Sequence, residues 1–335
     1  MTQTRVLVTG GAGYIGSVIV DQLVGRGSSV VVLDDLSTGH RAAVARGAAF
    51  VQGGVGNREL VEAVLEREQV DAIVHLAAFA LVPESVAQPQ KYVTNNVTAA
   101  RVLLEAAGRA RVRRFVFSSS CAVYGHPAAI PITEDAPQEP VNPYGETKRD
   151  FERLLAAYAP AHAMEVVSLR YFNAAGATES RGEDHEPETH LIPNVLAAAM
   201  GKWPAVDVFG TDYPTADGTA VRDYVHVADI ADAHVRALNV SLDGRAPVAL
   251  NLGTGTGRSV REVVDAARRV TGRAVPTHER PRRLGDPAAL VAAVGRAADV
   301  LDWRASRSSL EEILESAWRW HRAHPHGYQQ GEGES

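Results

Sequence analysis

Short, nearly continuous apolar runs alternate with longer stretches of helical period through the first half of the chain. Arg5–Thr9, Ser29–Leu33, Ala72–His75, Arg114–Ser118 and Val166–Arg170 are the strand-like runs. Unbroken apolar character of this kind suits parallel strands covered on both faces. Ile15–Gly25, Glu59–Glu68, Asn95–Gly108 and Tyr144–Tyr158 carry the helical patterns between them. Repeated strand–helix units at this spacing predict an α/β fold built on a doubly wound parallel (Rossmann-like) sheet. Beyond Asn173 the pattern changes. Residues 176–190 are polar and predict a surface loop, followed by helices over Ile192–Met200 and Ser259–Thr271, with turns at Tyr213-Pro214 and Asp217-Gly218. This division predicts a dinucleotide-binding domain over residues 1–174 and a smaller α/β substrate lobe over 175–325. Tyr224–Leu238 and the strand-like Val248–Leu252 are expected to return to the first unit, so that about 224–252 belongs with it. The Gly- and Glu-rich stretch 326–335 predicts a disordered tail.

Composition narrows the class. With 335 residues, 45% hydrophobic and 22% charged, the chain can bury a large core, and global disorder is excluded. A formal net charge of -6 offers no electrostatic footprint for nucleic acid or an anionic membrane. Cys121 is the single cysteine, so no intrachain disulfide exists, thiol-ligated zinc is disfavoured, and no metal site is assigned. No apolar run approaches the ~20 residues of a membrane-spanning helix. The N-terminus runs directly into Val6-Leu7-Val8, leaving no room for a signal peptide. A cytoplasmic protein is therefore expected.

Gly10, Gly13 and Gly16 lie directly after the first strand and open the first helix. Glycines there allow a tight turn and close approach of backbone to a pyrophosphate, which the helix N-terminus attracts. Asp34 ends the second strand, where its carboxylate can accept ribose hydroxyls and repel a 2′-phosphate; this favours NAD over NADP. A turn or cap role for Asp34 is the competing reading.

Tyr144 and Lys148 stand four apart on a predicted helix and so share a face. An ammonium beside a phenol stabilises phenolate, which predicts a Tyr144 pKa drawn from ~10 towards neutrality and a role as base. Ser118-Ser119-Ser120 ends what counts as the fourth predicted strand, where ligands meet such sheets. A hydroxyl there can bind a substrate oxygen while Tyr144 moves its proton.

Taken together, these residues resemble the extended short-chain dehydrogenase/reductase family, and within it the UDP-glucose 4-epimerases. The strings that carry the resemblance include Gly10–Gly16, Val123-Tyr-Gly125, Pro143-Tyr-Gly145 with Lys148, and Leu169–Asn173. Phe209–Thr215, Val221–His226, Asn251–Gly255 and Pro281–Asp286 extend it. The resemblance spans about residue 5 to Tyr328. It implies reversible NAD-dependent epimerisation of UDP-glucose and UDP-galactose through a 4-keto sugar, in galactose metabolism. Tyr144 would be the base, Lys148 its tuning group and ribose ligand, and Ser120 the partner of the 4-oxygen. Tyr14, Ile15, Asp34, Asp35, Val55, Leu76, Ala77, Ala78, Asn95 and Tyr171 would contact NAD. Asn173, Leu191, Phe209, Arg222, Arg283 and Asp286 would hold the uridine diphosphate, with Leu290 beside the hexose. A homodimer through the helices around Asn95–Gly108 and Tyr144–Tyr158 is also implied.

The chain departs from the family pattern at Gly54, where an aspartate often contacts adenine, and at Leu76, Ala80, Pro83 and Ala122. Other UDP-hexoses, UDP-N-acetylglucosamine or UDP-glucuronate, remain alternative substrates. A nucleotide-sugar dehydratase is disfavoured, because Ser120-Cys121-Ala122 lacks the acidic pair that would expel water. A non-catalytic NAD sensor would be expected to have lost Tyr144 or Lys148, and both are present.

Overall fold

The computed structural model describes residues 4–242, 246–283 and 285–328. Six strands, β1 (Arg5–Thr9), β2 (Ser29–Asp34), β3 (Ala49–Gln52), β4 (Ala72–His75), β5 (Arg114–Ser120) and β6 (Glu165–Tyr171), join the strand Val248–Leu252. They form a seven-stranded sheet in the order Val248–Leu252, β6, β5, β4, β1, β2, β3, and every pairing is parallel. The order reverses between β1 and β4, which opens a crevice at the carboxyl ends of the strands.

Alternation of side chains along each strand explains why the runs are apolar throughout. Val6, Val8, Val30, Val32, Val74 and Val116 point to one face, where Val18 and Ile19 of the helix Tyr14–Gly25 and Ile230 of the helix Val227–Asn239 cover them. Leu7, Val31, Leu33, Ile73 and Phe115 point to the other, packed by Val61, Leu103 and Phe151 from three further helices. Both faces are dry, as a doubly wound sheet requires.

β3 is absent from the sequence-based reading. It has four residues, lies at the sheet edge, and is only partly buried, so its pattern carries little apolar signal. The serine-bearing strand is consequently the fifth, not the fourth. The predicted helix Asn95–Gly108 is interrupted: residues 94–99 form a π-helical turn before the α-helix Ala100–Arg109. Such turns recur at functional sites.

The helices Leu191–Ala199, Val260–Thr271 and Leu310–Ala323 build a second core around Val195, Leu196, Val263, Ile313 and Trp318. The helix Val260–Thr271 starts with a reciprocal cap between Ser259 and Glu262 and ends at Gly272 in a left-handed conformation. Residues 176–190, expected as a surface loop, are instead partly buried. Gly182 lies against the Trp320 ring, where a Cβ would come within 2.1 Å of it, and the Glu183 side chain is 6% exposed. Residues 326–328 were expected in the disordered tail. Here Tyr328 donates its N–H to Asp184 (2.7 Å), and its hydroxyl accepts from the Gly182 N–H (3.0 Å). The remainder of that expectation, 329–335, lies outside the described residues.

Candidate active site

The turn after β1 is closed by contacts that admit no side chain. Gly10 has φ +73°, and a Cβ on it would fall 2.6 Å from the Ala77 nitrogen; one on Gly16 would fall 2.1 Å from the Gly10 carbonyl oxygen. Gly13 precedes the helix Tyr14–Gly25, and no side chain caps that helix, so its first-turn N–H groups are available to an anion. Asp34 is buried. Its Oδ2 accepts from the Ala12 N–H and its Oδ1 from the Leu36 N–H, both at 2.9 Å. The cap reading and the ribose reading are thus compatible, since each carboxylate oxygen keeps a further lone pair. Burial raises the Asp34 pKa, against the lowering effect of those two N–H groups. Asp35 bonds the Ser37 N–H at 2.9 Å, Val55 joins the core behind β2, and Leu76 to Ala78 follow β4 against Gly10. The Tyr14 hydroxyl, expected at the cofactor, donates to the Gly176 carbonyl at 2.5 Å and ties the glycine turn to the 176–190 segment. These residues fit a dinucleotide: a backbone cradle with no room for side chains, and a buried carboxylate beyond it.

The helix Pro143–Tyr158 begins with Asn142 capping the Gly145 N–H (2.8 Å) and with Pro143 in the first turn. This start places Tyr144 and Lys148 one turn apart, facing the carboxyl end of β5. The Lys148 ammonium donates to the Ser118 carbonyl at 2.8 Å and lies 5.0 Å from the Phe117 ring and 5.7 Å from the Tyr144 ring. Ser120 ends β5 in register with Tyr171 at the end of β6, and its side chain is near enough to the Tyr144 phenol to oppose, in small part, the upward push of burial on its pKa. Serine, tyrosine and lysine therefore converge.

The expected lowering of the Tyr144 pKa is not met. Burial raises it well above 10, and burial also lowers Lys148 to about 7. Both shifts have one cause: each side chain is enclosed, which penalises phenolate and ammonium alike. The chain's own residues thus hold the phenol protonated.

Behind this pair lies a network that the sequence did not reveal. Glu152, one turn beyond Lys148, accepts from Arg170 Nη2 (2.6 Å) and Nε (2.9 Å) and from the Ser119 hydroxyl (2.5 Å). Arg170 Nη1 reaches the Tyr124 hydroxyl (2.9 Å) and the Glu134 carbonyl (3.0 Å). Asn96, inside the π-helical turn, receives the Phe79 N–H, donates to the Phe79 carbonyl, and reaches Thr147 Oγ1 at 3.2 Å. It braces the loop after β4 against the helix that carries Tyr144. Its neighbour Asn95, the predicted cofactor contact, donates to the Asn96 side chain at 3.0 Å.

Four of the six candidates for the uridine diphosphate fall into two pairs. Arg222 is ion-paired with Asp286, and the Arg283 guanidinium lies 3.9 Å from the centroid of the Phe209 ring. Asn173 pairs in register with Tyr224, and Leu191 starts the helix Leu191–Ala199. Leu290 is in register with Arg222 and is buried in an apolar cluster with Cys121 and Phe172. Burial raises the Cys121 thiol to about 12, which disfavours a thiolate nucleophile.

The model of the NAD dependent epimerase/dehydratase family matches residues 6–253. The UDP-glucose 4-epimerase of Lactobacillus helveticus is 49% identical over 327 residues, covering 97% of this chain and 99% of its own. This chain belongs to the UDP-glucose 4-epimerases of that family. It is accordingly an isomerase. Among solved UDP-glucose 4-epimerases, the Brucella ovis enzyme in complex with NAD is 46% identical, with a TM-score of 0.91 over 94% of this chain and 97% of that one. The Bifidobacterium longum epimerase in complex with NAD+ and UDP is 37% identical, with a TM-score of 0.92 over 97% and 100%. No helix among the described residues is long and apolar enough to cross a membrane.

Proposed function

We propose that this epimerase interconverts UDP-glucose and UDP-galactose by inverting C4, with NAD held against the glycine turn, Asp34, Tyr144 and Lys148. The convergence of Ser120, Tyr144 and Lys148 at the carboxyl end of β5 carries the reading. NAD, when bound, supplies a reversible hydride acceptor for C4 and a positive ring that opposes the burial penalty on phenolate. Ser120 holds the 4-oxygen, and Tyr144 takes its proton and later returns one. Lys148, fixed on the Ser118 carbonyl, presents donors to the phenol and the ribose. Arg222 and Arg283 anchor the diphosphate by forked, charge-assisted contacts while the 4-keto sugar turns its other face. Incubating the purified protein with each sugar nucleotide and resolving products by chromatography tests this. Formation of neither product, with NAD supplied, rejects the assignment.

Cofactor choice rests on the Asp34 charge. Asp34→Asn keeps an oxygen acceptor but removes the repulsion of a 2′-phosphate. The ratio of NADP- to NAD-supported activity in cofactor-stripped enzyme should rise by about tenfold or more. An unchanged ratio leaves Asp34 as a turn residue only.

Substrate breadth turns on Leu290, which packs beside Cys121, the residue after Ser120. A leucine there excludes a 2-acetamido group only in part, so weak turnover of UDP-N-acetylglucosamine is expected. Leu290→Tyr should lower kcat/KM for the acetylated sugar relative to UDP-glucose by about tenfold, near the scale of steric discrimination in a pocket. If the ratio holds, Leu290 is core and not gate. The protein is cytoplasmic in this reading, and two copies associate through the helices that include Ala100–Arg109 and Pro143–Tyr158. Sedimentation velocity tests that association.

A further inference from the structure

We propose that Glu183, His185, Glu188 and His190 form a site for one divalent transition-metal ion of zinc character, which clasps the 176–190 segment beside the glycine turn. One donor atom from each of the four residues lies within 4.8 Å of all the others. His185 Nδ1 is 3.3 Å from Glu183 Oε1 and 3.8 Å from Glu188 Oε2. His190 Nδ1 is 2.7 Å from Glu183 Oε1 and 3.2 Å from Glu188 Oε1. Four ligands at the usual zinc bond lengths stand roughly 3.3–3.6 Å apart at the corners of a tetrahedron. The donors bracket that range, from 2.7 Å up to the 4.8 Å within which all four lie, so occupancy asks for shifts of up to about an ångström.

The donor chemistry selects the ion. Two imidazoles with two carboxylates suit zinc, whereas calcium and magnesium take oxygen alone and copper(I) favours sulfur. A second observation singles out His185: its Nδ1 is shielded from solvent and makes no hydrogen bond, although it faces the Glu183 carboxylate. Its nearest partner is Glu183 Oε1 at 3.3 Å, an ion-pair contact without hydrogen-bond geometry, so the shielded nitrogen is open to a ligand that meets its lone pair. Glu188 uses Oε1 for the His190 N–H at 2.7 Å, which leaves Oε2 turned towards His185.

Contacts outside the cluster hold the segment in place. Asp184 binds the Tyr328 N–H through its carboxylate, and its carbonyl lies 3.0 Å from His40 Nε2. The His185 ring meets the Tyr14 ring edge-on at 6.3 Å, so the clasp borders the cofactor turn. The site is therefore structural: it borders the glycine turn through Tyr14 and directly precedes Leu191, but none of its four donors is assigned to the reacting atoms. Glu183 also supports a metal-free arrangement as the counter-ion of two imidazoliums, and a metal must displace those protons.

The test uses tag-free, full-length protein stripped with chelator and then dialysed against zinc at neutral pH. Metal analysis should find one zinc per chain above the level of the His185→Ala/His190→Ala double variant. Cobalt should give the intense visible bands of a tetrahedral site in the parent only. Glu188→Gln, a milder change, should weaken zinc affinity by more than about tenfold while leaving the circular dichroism unchanged. Zinc content in the parent no higher than in the double variant, or octahedral cobalt spectra, would overturn the site and leave an ion-pair cluster. Full zinc affinity in Glu188→Gln would overturn the four-ligand assignment.

Discussion

Tyr144→Phe is expected to lower turnover by ~10²–10⁴-fold, the span of positioned acid–base catalysis, while bound NAD is retained. The phenol is buried near Ser120, Tyr171 and Lys148, and burial, with a smaller contribution from Tyr171, holds it protonated. Phenylalanine keeps the ring and its packing and removes only the atom that exchanges a proton with the 4-oxygen. The acidic limb of the parent's kcat/KM profile rises with pH as the base form gains population, and the variant should lose that limb. Product analysis over a pH series, with NAD content measured on the same sample, checks both points. A variant that turns over near the parent rate removes Tyr144 from the role of base, whatever its position.

The second large effect concerns stability. Glu152→Ala leaves the Arg170 guanidinium buried without its carboxylate. The two side chains are 8% and 5% exposed, and three hydrogen bonds join them. Removing one partner of such a pair costs about 3–5 kcal/mol, because the remaining charge has lost its compensation and water cannot replace it. Ser119 and Gln138 lose acceptors as well. Urea unfolding of the two proteins, compared at equal slope, measures the loss. The double variant Glu152→Leu/Arg170→Met should recover much of it, since an apolar pair leaves no buried charge. A single variant within about 1 kcal/mol of the parent would mean that the pair is effectively solvated. Because Glu152 lies one turn from Lys148, the damage should extend to turnover through displacement of the helix.

Features legible in the chain are those whose cause is local. Gly10 and Gly16 are required by a turn seven residues long, and Tyr144 and Lys148 by one helical turn. Val6-Leu7-Val8 must be apolar at each position, because both faces of its strand are covered. β3 escaped this logic: four residues at an edge, two exposed and two half-buried, impose no such pattern.

What the chain could not reveal alone depends on pairings across long separations. Glu152 and Arg170, Asn96 and Thr147, His185 and Tyr14 are ordinary polar residues until the sheet and the 176–190 segment bring them together. No periodicity marks such partners, since each pair's energy arises only when tertiary packing removes water from around it. The same enclosure reversed the expected Tyr144 shift. Spacing along a helix brings an ammonium near a phenol, but the depth of burial sets which protonation state each adopts, and depth belongs to the assembled structure. The amino-acid sequence by itself determined the doubly wound sheet, the glycine cradle and the placement of Tyr144 and Lys148 on one helical face, the side chains we propose react. Tertiary structure alone decided their charge states, the polar network that supports them and the second cluster of histidines and glutamates, because dielectric environment is a property of the whole fold and of no local segment.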